Sequence, residues 1–389
     1  MPAAPGVDGR RLPTPAASPQ LPVLADARRI LVIRLDNAGD VILTGPALRA
    51  IRAALPSTEI TLLTSPAGAH AAAVLPWVDR IETLRAVWQD ARAELPLDPA
   101  RELAFVERLR ASAYDAAFVL TSFSQTPYPA GYVCYLAGIP IRVGHAGDFA
   151  GSILTHAIPG PAPTHQAERN LHLVRALGVP IADEALEIAV PAAARASVTR
   201  RLGSDGLRLS DAVVLAPGAS CSARRYAPER FAAVARGLAL RTGRPIVVVG
   251  TEKERPFAEP TLRAVDGAVD LVGATTLPEL AAIIEAAALV IANDSLPLHL
   301  ADATMTPILA TFAGTDREAE WGPRRTPAVL LRQATGCAPC RLFACRFDGH
   351  PCLDIAPDDV VGAALEVLAA ILPRVYTVPG ADGGLAWAG

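Results

Sequence analysis

The sequence predicts an α/β protein with two domains, each built on a doubly wound sheet of parallel strands. A chain of 389 residues is too long for one ordinary domain, and two domains of about 150–200 residues are expected. Apolar runs typical of buried strands alternate with helical patterns, first from Arg29 and again from Ala212. Parallel sheets of this kind bind ligands beyond the carboxyl ends of their strands.

Changes of composition along the chain predict the domain limits. Residues 1–27 are rich in Pro and Ala without periodicity, which favours disorder. The pattern loosens again between Gly178 and Ser210, so the junction is expected near 190. The predicted organisation is a disordered leader at 1–27, an N-terminal domain at 28–190, a C-terminal domain at 191–372 and a tail at 373–389.

The overall composition excludes several classes of protein. Hydrophobic residues make up 51% of the chain and aromatic residues 5%, which suits helices packed on aliphatic strands. The net charge of −3 provides no basic field for nucleic acid. The sequence has no signal-peptide-like apolar segment and no run of about 18 uncharged apolar residues. We therefore expect a soluble protein of the cytoplasm.

The first unit of the N-terminal domain is strand, loop, helix, strand. Arg29–Arg34 and Glu59–Thr64 are the predicted strands, and an amphipathic helix lies between them. The loop at 35–40 ends in Asp40, which is thereby placed at the ligand-binding rim; as a simpler alternative, Asp40 caps the helix. The loop lacks the Gly-x-Gly-x-x-Gly spacing, which counts against a nucleotide-binding oxidoreductase or epimerase.

The rest of the N-terminal domain continues the alternation. The strand Tyr114–Leu120 leads into a polar loop at Ser122–Pro129 on the same rim, and a turn at 144–147 carries His145. The other predicted elements are a helix at Trp88–Leu109 with a Pro-rich break at 96–99, a short helix at Gly131–Ala137, a strand at Arg142–Gly144 and a helix opened by Thr164 and reaching Leu177.

The C-terminal domain begins with the strand Ala212–Ala216. The following turn ends in Ser220, and Arg224 and Arg225 come next, where they could hold a small anion. The other predicted elements are a helix at Glu229–Arg241, a strand at Pro245–Val249 with a loop carrying Glu252 and Glu254, a helix from about Arg255, a strand at Leu271–Gly273, a helix at Pro278–Ala287, a strand at Ile308–Phe312 and a helix at Asp358–Leu372.

The stretch at 289–303 is the centre of this domain. Its apolar run stops at Asn293 and restarts with helical spacing, which predicts a strand, a tight turn and a helix. Asp294 or Ser295 can cap that helix. A helix N-terminus after a strand is suited to an anion such as phosphate, and His299 could reach the same anion. The alternative is a well-capped turn with a surface histidine.

Four of the six cysteines lie close together, as Cys337-x2-Cys340-x4-Cys345-x6-Cys352. A zinc knuckle or two loop disulfides could both use this spacing. A cytoplasmic location disfavours disulfides. We expect a structural role, as zinc ligands or as thiols, and unconnected cysteines are the alternative.

Four motifs together resemble those of glycosyltransferase family 9, the ADP-heptose:lipopolysaccharide heptosyltransferases and their relatives. The motifs are Gly39-Asp40-Val41, Pro217-Gly218-Ala219-Ser220 with Arg224, Asn293-Asp294-Ser295-x-Pro297-x-His299, and Trp321-Gly322-Pro323. The resemblance covers about residues 29–372.

The resemblance implies a GT-B architecture, in which two Rossmann-like domains face a central cleft. It implies an inverting glycosyltransferase that requires no metal or other cofactor. The enzyme would move a heptose, or a similar sugar, from an ADP-sugar to a hydroxyl of a saccharide or lipid-linked acceptor. The C-terminal domain would bind the donor and the N-terminal domain the acceptor. Any contact with the inner face of the cell membrane would be peripheral, and nucleic acid is not an expected partner.

The same resemblance assigns roles to residues. Asp40 matches the catalytic base, and Arg224 falls where relatives often carry a phosphate-binding Lys or Arg. One of the two loop glutamates is expected at the ribose. The candidate donor-binding residues are Ser220, Arg224, Arg225, Glu252, Glu254, Asn293, Asp294, Ser295, Leu296 and His299, and the candidate acceptor-binding residues are Asn37, Ser124, Gln125 and His145.

The chemistry of such a transfer suits these residues. A carboxylate positioned to take the proton of the acceptor hydroxyl contributes about 10²–10⁴-fold. Without a metal, the charge on the departing diphosphate would be met by Arg224 or Arg225 and by the amides at 296–299. One departure concerns the donor: many relatives have Gly after the Ser or Thr of the turn, whereas this chain has Ser295-Leu296, which reduces backbone freedom.

Two other functions remain open. One is a transferase that uses another nucleotide sugar, for a natural product or a polysaccharide. The other is an inactive module that binds a sugar nucleotide or a partner, against which the retained Asp40 argues.

Overall fold

Two parallel β-sheets with helices on both faces organise the chain. The structure is a computed structural model and describes residues 23–90, 93–147, 151–203, 206–369 and 375–378. The first sheet has six strands and the second seven, and the pairs between neighbouring strands are parallel. The predicted junction near 190 lies between the two sheets.

The N-terminal half forms a doubly wound sheet. Its strands are β1 (Arg29–Arg34), β2 (Glu59–Thr64), β3 (Arg80–Thr83), β4 (Ala116–Val119), β5 (Ile141–His145) and β6 (His156–Ile158). Its helices are α1 (Ala38–Ile42), α2 (Gly45–Ala54), α3 (Pro66–Ala72), α4 (Pro99–Ser112), α5 (Tyr128–Leu136) and α6 (Gln166–Arg175), with a 3-10 turn at Val87–Gln89. The strand order is β3-β2-β1-β4-β5-β6.

The C-terminal half repeats this arrangement. Its strands are β7 (Val213–Ala216), β8 (Ile246–Gly250), β9 (Val269–Val272), β10 (Leu289–Asn293), β11 (Ile308–Thr311), β12 (Ala328–Leu331) and β13 (Val375–Val378). Its helices are α7 (Ala192–Gly203), α8 (Pro228–Thr242), α9 (Arg255–Ala264), α10 (Leu277–Ala286), α11 (Leu296–Thr304), α12 (Glu318–Trp321) and α13 (Pro357–Leu368). The 3-10 turns are Leu209–Asp211, Ser222–Arg224, Glu252–Glu254 and Pro351–Leu353, and the strand order is β13-β12-β11-β10-β7-β8-β9.

The central strands are apolar because helices cover both of their faces. All residues of β7 and β10 are buried, and β1 is buried after its first residue. The largest buried apolar cluster runs through both halves, from Leu48 and Leu171 to Ile284 and Leu298. The two sheets are therefore joined by a continuous core.

The parallel sheets bring the predicted rim residues together. The carboxyl ends of β1, β4 and β5 lie at one edge of the first sheet, where β1 is followed by α1 with Asp40, β4 is followed by the loop with Ser122, and β5 ends in His145. The carboxyl ends of β7, β8, β10 and β11 form the matching edge of the second. This arrangement confirms the prediction of two doubly wound domains.

Several predicted elements differ from the structure. The helix predicted from Trp88 is wrong in its first part, since α4 begins at Pro99 after an Asp98 side chain caps it. Leu24 and Ala27 were assigned to the disordered leader, yet both are buried. The strand β13 lies within the predicted tail and pairs with β12. The leader prediction for 1–22 and the tail prediction for 373–374 and 379–389 lie outside the described residues.

Candidate active site

The site forms where α1 of the first domain meets α11 of the second. A Cβ atom built on Gly39 would lie 2.9 Å from Cδ2 of His299 and 3.6 Å from the Cα of Leu296. Only glycine permits this approach, because real Cβ contacts are longer. The Gly39-Asp40 pair and the 294–299 turn, 254 or more residues apart in sequence, therefore face each other directly.

Asp40 is oriented by a buried arginine that the sequence analysis did not single out. Arg34, at the end of β1, has a fully buried side chain, and its Nη2 lies 2.9 Å from Oδ1 of Asp40. The same nitrogen donates to Ser122 Oγ at 2.8 Å. The other carboxylate oxygen of Asp40 accepts from the N–H of Asn37 at 3.2 Å. A charged residue closing an apolar strand was the signal that could have identified Arg34.

The N-cap interpretation of Asp40 is corrected by these contacts. Asn37 is the N-cap of α1, with extended φ and ψ, and Asp40 is the third helical residue. Its carboxylate keeps the 3.2 Å bond to Asn37 while 17% of the side chain stays exposed. The predicted acceptor-binding residue Asn37 therefore begins the helix that carries Asp40.

A second carboxylate shares Arg34. Asp36 Oδ2 lies 2.9 Å from Nε of Arg34, and Gln125 Nε2 donates to Asp36 Oδ1 at 2.6 Å. Burial raises the pKa of Asp36, Arg34 opposes that rise, and the charge of Asp40 adds to it. Arg34 thus holds two neighbouring carboxylates that would otherwise repel each other.

Across the cleft, Arg224 lies among acids of two loops. Its Nη2 is 2.5 Å from Asp316 Oδ2 and its Nε is 3.8 Å from Asp294 Oδ2. Its Nε also donates to Thr315 Oγ1 at 3.3 Å. Burial alone would lower the pKa of Arg224, but Asp294 and Asp316 outweigh burial and raise it. The guanidinium is therefore a permanent cation at the carboxyl edge of the second sheet.

Asp294 is the most enclosed acid of the site. Burial raises its pKa to about 7, with Asp316 and Asp40 adding to the rise and Arg224 opposing it. Its Oδ2 is buried without a hydrogen-bond partner in the described part of the chain. The carboxyl group can therefore be neutral near physiological pH.

The predicted side-chain cap of α11 is wrong. Ser295 occupies the N-cap position with φ −158°, but its side chain makes no capping bond; its hydroxyl donates to the carbonyl of Asn293 at 3.3 Å. Leu296, at the position of the missing glycine, is the first residue of α11 and does not have a positive φ, so its side chain causes no backbone strain there. The N-terminus of α11 keeps its capacity for an anion.

His299 is a buried neutral imidazole in the first turn of α11. Burial lowers its pKa to about 4, an effect that Arg224 reinforces and Asp302 opposes. The alternative of a surface histidine is therefore wrong. A neutral ring still provides one N–H donor.

Asn293 does not have the free amide that donor binding requires. Its Oδ1 accepts from the N–H of Tyr226 and from Thr311 Oγ1, both at 2.9 Å. Its Nδ2 donates to the carbonyls of Pro217 and Gly218 at 2.9 and 3.0 Å. All of its bonding capacity is used within the protein, so Asn293 shapes the turn after β7, and its predicted donor contact is corrected.

The structure separates the two loop glutamates. A Cβ on Gly218 would lie 2.0 Å from Glu254 Oε1, so Glu254 packs against the turn after β7. Glu252 instead lies with its Oε1 2.7 Å from Arg255 Nε, and 67% of its side chain is exposed. Glu254 is thus the glutamate beside the predicted donor site.

The remaining donor-side candidates lie at the same edge. Ser220 is exposed after β7. Arg225 places its guanidinium carbon 3.5 Å from the centroid of the Phe257 ring, and its Nη2 donates to the carbonyl of Ala219 at 3.3 Å. Arg225 therefore stacks beside the turn while Arg224 reaches the acids.

The acceptor-side candidates differ in accessibility. Ser124 is exposed, whereas the Gln125 amide is bound to Asp36. His145 is buried, and its Nε2 lies 3.2 Å from Nδ1 of His172. Burial lowers the pKa of His145 to about 3, with Arg169 and His172 contributing. His145 is therefore the neutral, buried member of a histidine pair at the carboxyl end of β5.

Two further contacts join the domains, and the sequence analysis identified neither. His165 caps α6 by accepting from the N–H of Ala167 at 3.2 Å, and its Nε2 lies 3.0 Å from the carbonyl of Gly322. The rings of Phe123 and Trp321 pack edge to face, with their centroids 6.3 Å apart. The Trp-Gly-Pro motif of the second domain therefore packs on the rim of the first.

The cysteine segment is fixed to the donor side. The N–H of Cys340 donates to the carbonyl of Gly314 at 3.0 Å, and that of Arg341 to Thr315 at 2.9 Å. Arg341 Nη1 lies 2.5 Å from Asp316 Oδ1. Cys337, Cys340, Cys345 and Cys352 are free thiols, and the described residues contain no group of three or more His, Cys, Asp or Glu side chains placed for a metal ion. Zinc binding by these residues stays a prediction.

Comparison with known proteins identifies the family to which the chain belongs. The sequence profile of glycosyltransferase family 9 (heptosyltransferase) matches residues 102–350, more than half of the chain. The chain belongs to glycosyltransferase family 9. This family 9 protein is therefore an enzyme, a glycosyltransferase of the heptosyltransferase type, as its motifs predicted.

Curated relatives of this family 9 protein come from Escherichia coli. One lipopolysaccharide heptosyltransferase 3 is 24% identical over 294 residues, covering 72% of this chain and 81% of the relative. Another, from strain K12, is 27% identical over 288 residues, covering 72% of this chain and 80% of the relative.

Solved structures show the same fold. A glycosyl transferase family 9 protein from Veillonella parvula DSM 2008 has a TM-score of 0.73 at 22% identity, covering 88% of this chain and 98% of that one. The E. coli ADP-heptose lipopolysaccharide heptosyltransferase II has a TM-score of 0.68 at 21% identity, covering 88% and 99%. The GT-B architecture is thereby confirmed. No helix in the described ranges is both long and apolar enough to cross a membrane.

Proposed function

We propose that this enzyme transfers a heptose, or a similar sugar, from an ADP-sugar to a hydroxyl of a saccharide or lipid-linked acceptor, with inversion and without a metal. The observation that carries the proposal is the position of Asp40. Its carboxylate, held by Arg34, faces the Arg224, Asp294 and His299 cluster of the other domain. The family profile matches residues 102–350 and therefore does not include Asp40. The role proposed for Asp40 rests on this geometry.

The donor assignment is supported by relatives. Two solved structures of an E. coli heptosyltransferase with TM-scores of 0.60 contain ADP and ADP-2-deoxy-2-fluoro heptose. In this chain, the diphosphate of such a donor would bind at the N-terminus of α11 and Arg224. Glu254, beside the turn at Gly218, is the candidate partner of the ribose hydroxyls.

The proposed reaction begins at the acceptor hydroxyl. Asp40 takes its proton while the oxygen forms a bond to the anomeric carbon, and the bond from that carbon to the diphosphate oxygen breaks. Attack from the side of the N-terminal domain, opposite the diphosphate, inverts the anomeric centre. The proton ends on Asp40 and the electron pair on the diphosphate.

The donor side then stabilises the leaving group. Arg224 is a permanent cation, and it meets the negative charge that grows on the diphosphate. His299 is neutral and can donate one hydrogen bond without attracting a proton from Asp40. The positive end of α11 adds to the same stabilisation.

The test combines donor choice with product analysis. A panel of nucleotide sugars is screened for a rise in melting temperature, since specific binding stabilises the folded state. The donor that binds is then incubated with lipopolysaccharide core saccharides and excess EDTA, and released nucleotide diphosphate is measured. We expect ADP-sugars to bind, ADP release to continue in EDTA, and NMR of the product to show the inverted anomer. Release that requires an added divalent ion, or a retained anomer, would contradict the mechanism.

A further inference from the structure

Helix α5 exposes an uncharged aromatic surface on the N-terminal domain. Tyr132, Tyr135 and Leu136 are 50%, 49% and 37% exposed. Because they are spaced three and four residues apart, they lie on one side of the helix. The two tyrosine rings stack nearly parallel, with their centroids 6.2 Å apart. These three residues form the α5 face, and α5 contains no charged residue. Clustered exposed apolar side chains of this kind are typical of an interaction surface.

The neighbouring helix extends this surface. α4 and α5 cover the same side of the first sheet, since Phe105 of α4 and Cys134 of α5 belong to one buried cluster. Arg110 of α4 donates from Nη2 to the carbonyl of Leu136 at 2.7 Å. Leu103, also on α4, is 63% exposed. The outer layer of the N-terminal domain therefore presents apolar side chains from two adjacent helices.

Acidic residues are scarce in this part of the chain. The 389 residues include 39 acids, about one in ten, yet the 52 residues at 116–167 contain Asp148 alone. That acid lies outside the described residues. The stretch supplies α5 and the strands β4, β5 and β6, which form one side of the first sheet. An anionic surface that approaches α5 would therefore meet little repulsion from carboxylates.

Two guanidinium groups border the α5 face. The guanidinium carbon of Arg142 lies 5.3 Å from the centroid of the Tyr135 ring. Its Nε and Nη2 donate to the carbonyls of Ile153 and Ser152 at 2.7 and 3.0 Å, and no carboxylate of the described residues forms an ion pair with it.

The other guanidinium belongs to Arg110, which pairs with Glu107 at 2.5 Å. Two positive charges against one negative charge leave the border of the α5 face net positive. An anionic partner is therefore favoured. Two copies of the face would oppose their positive charges, which disfavours a second copy of the chain as the occupant.

The α5 face lies on the acceptor side of the cleft. α5 follows the loop in which Ser122 accepts from Arg34 and Gln125 donates to Asp36. The helix is fixed closely to the sheet, because a Cβ on Gly131 would lie 3.0 Å from side-chain atoms of Ile153 and Leu154. A surface bound to α5 is thereby placed beside the loop that leads to Asp40.

We propose that the α5 face docks on an anionic lipid bilayer. Tyrosine is suited to the headgroup level, where its ring contacts apolar chains and its hydroxyl contacts water. The nearby arginines would attract the lipid phosphates. The inference deepens the proposed function, because it specifies a lipid-linked acceptor that reaches Asp40 from the bilayer. The docking itself does not depend on which sugar is transferred.

The test is co-sedimentation of the full chain with lipid vesicles. One set contains phosphatidylglycerol and phosphatidylcholine in equal parts, and the other contains phosphatidylcholine alone. We expect wild type to bind the mixed vesicles more tightly, and Tyr132→Ser/Tyr135→Ser to bind them about ten-fold more weakly. Tyr132→Trp/Tyr135→Trp should keep the binding, because Trp is equally suited to the interface. The matched control is Leu240→Ser, which removes an 80% exposed side chain from α8 of the other domain and should bind as wild type.

Melting temperatures and light scattering complete the test. The serine variants should melt as wild type does, because the changed side chains are exposed; Leu136→Ser provides a second variant if the double variant is unstable. Equal vesicle binding by wild type and the α5 variants, or equal binding to both kinds of vesicle, would overturn the inference. A wild-type dimer that the serine variants dissociate, without vesicle binding, would instead assign the face to a second copy. ADP-sugar titration reports separately on the donor site: its failure would contradict the proposed function and leave the vesicle result standing.

Discussion

His299 of α11 lies directly on the backbone of Gly39 in α1, where a Cβ would approach its Cδ2 to 2.9 Å. This contact joins the two domains beside the proposed base. Because residue 39 has no side chain, α1 and α11 can approach this closely. The distance between the acceptor and donor sides therefore depends on glycine at this position.

Gly39→Ala should therefore disturb catalysis more than folding. The added methyl group must displace the His299 ring, at a cost of about 1–3 kcal/mol for overpacking, and a shift of about 1 Å can lower turnover by up to about 10²-fold. Calorimetric unfolding and steady-state turnover measure the two effects.

The control is Gly362→Ala, which is also in a helix but has no atom within 4 Å of its added Cβ. His299→Ala in the Gly39→Ala background should recover stability, because the clash is removed. If the stability losses of Gly39→Ala and His299→Ala simply add in the double variant, the two residues are not in contact.

Asp40→Asn should retain the fold and lose activity. Asn keeps an oxygen for Arg34, and Asp36 still neutralises that guanidinium, so we expect a small change in melting temperature. Turnover should fall by about 10²-fold or more, with unchanged affinity for the ADP-sugar.

Asp36→Asn is the matched variant, since it also removes one charge next to Arg34. It should keep most of the turnover. The reverse result, an active Asp40→Asn and an inactive Asp36→Asn, would move the base to Asp36.

Donor affinity should decrease as the pH rises through about 7. The pKa of Asp294 is raised to about 7 by burial, so the group is neutral below that pH and carries a negative charge near the diphosphate above it. Titration of the bound ADP-sugar from pH 6 to 8.5 measures the change. Asp294→Asn, which is always neutral, should show a flat profile; the same slope in the variant would exclude Asp294.

Stability should decrease in mild acid because several histidines are buried in neutral form. His165 accepts at Nδ1 from Ala167 and donates from Nε2 to Gly322, and burial lowers its pKa to about 3. Since this folded pKa lies below the usual 6.5, the contribution is complete above about pH 6.5 and is lost as the pH falls toward 3. The loss amounts to about 1.4 kcal/mol per pH unit for one such group.

Urea unfolding between pH 8 and pH 4 checks this expectation. His165→Asn can still cap α6 but has no ring to protonate. The slope of its unfolding free energy against pH should therefore correspond to about one proton fewer than in wild type. His145 and His299 have pKa values lowered to about 3 and about 4 for the same reason, and they should contribute to the remaining slope. An unchanged slope in His165→Asn would contradict the assignment.

The cysteine segment should affect the donor site through Arg341. We propose that its four thiols have a structural role, as zinc ligands or as thiols, because the segment fixes Arg341 next to Asp316, the partner of Arg224. Elemental analysis and thiol titration of the native protein distinguish the two states. Cys340→Ser should weaken ADP binding, whereas Cys134→Ser, in the other domain, should not; equal ADP affinity in both variants would argue for unconnected cysteines.

Local sequence was enough to predict the succession of elements and the turns that carry the chemistry. Strands buried on both faces are continuous apolar runs, so β1, β7 and β10 were predictable from local composition alone. Asp40 and the 294–299 turn were found because polar residues directly follow those runs. Parallel topology places the carboxyl ends of neighbouring strands at one edge of each sheet. The family motifs then indicated the roles of the residues at that edge.

Which side chains are free to act depends on contacts that form in the folded protein. Asn293 ends β10, where a donor-binding residue is expected, yet neighbours up to 76 residues away use all of the hydrogen-bonding capacity of its side chain. Arg34 is a single charge in local sequence; its contacts with Asp40 and with Ser122, 88 residues away, make it the residue that holds Asp40. Burial, pairing and pKa depend on neighbours that the fold brings together, and local spacing does not contain that information.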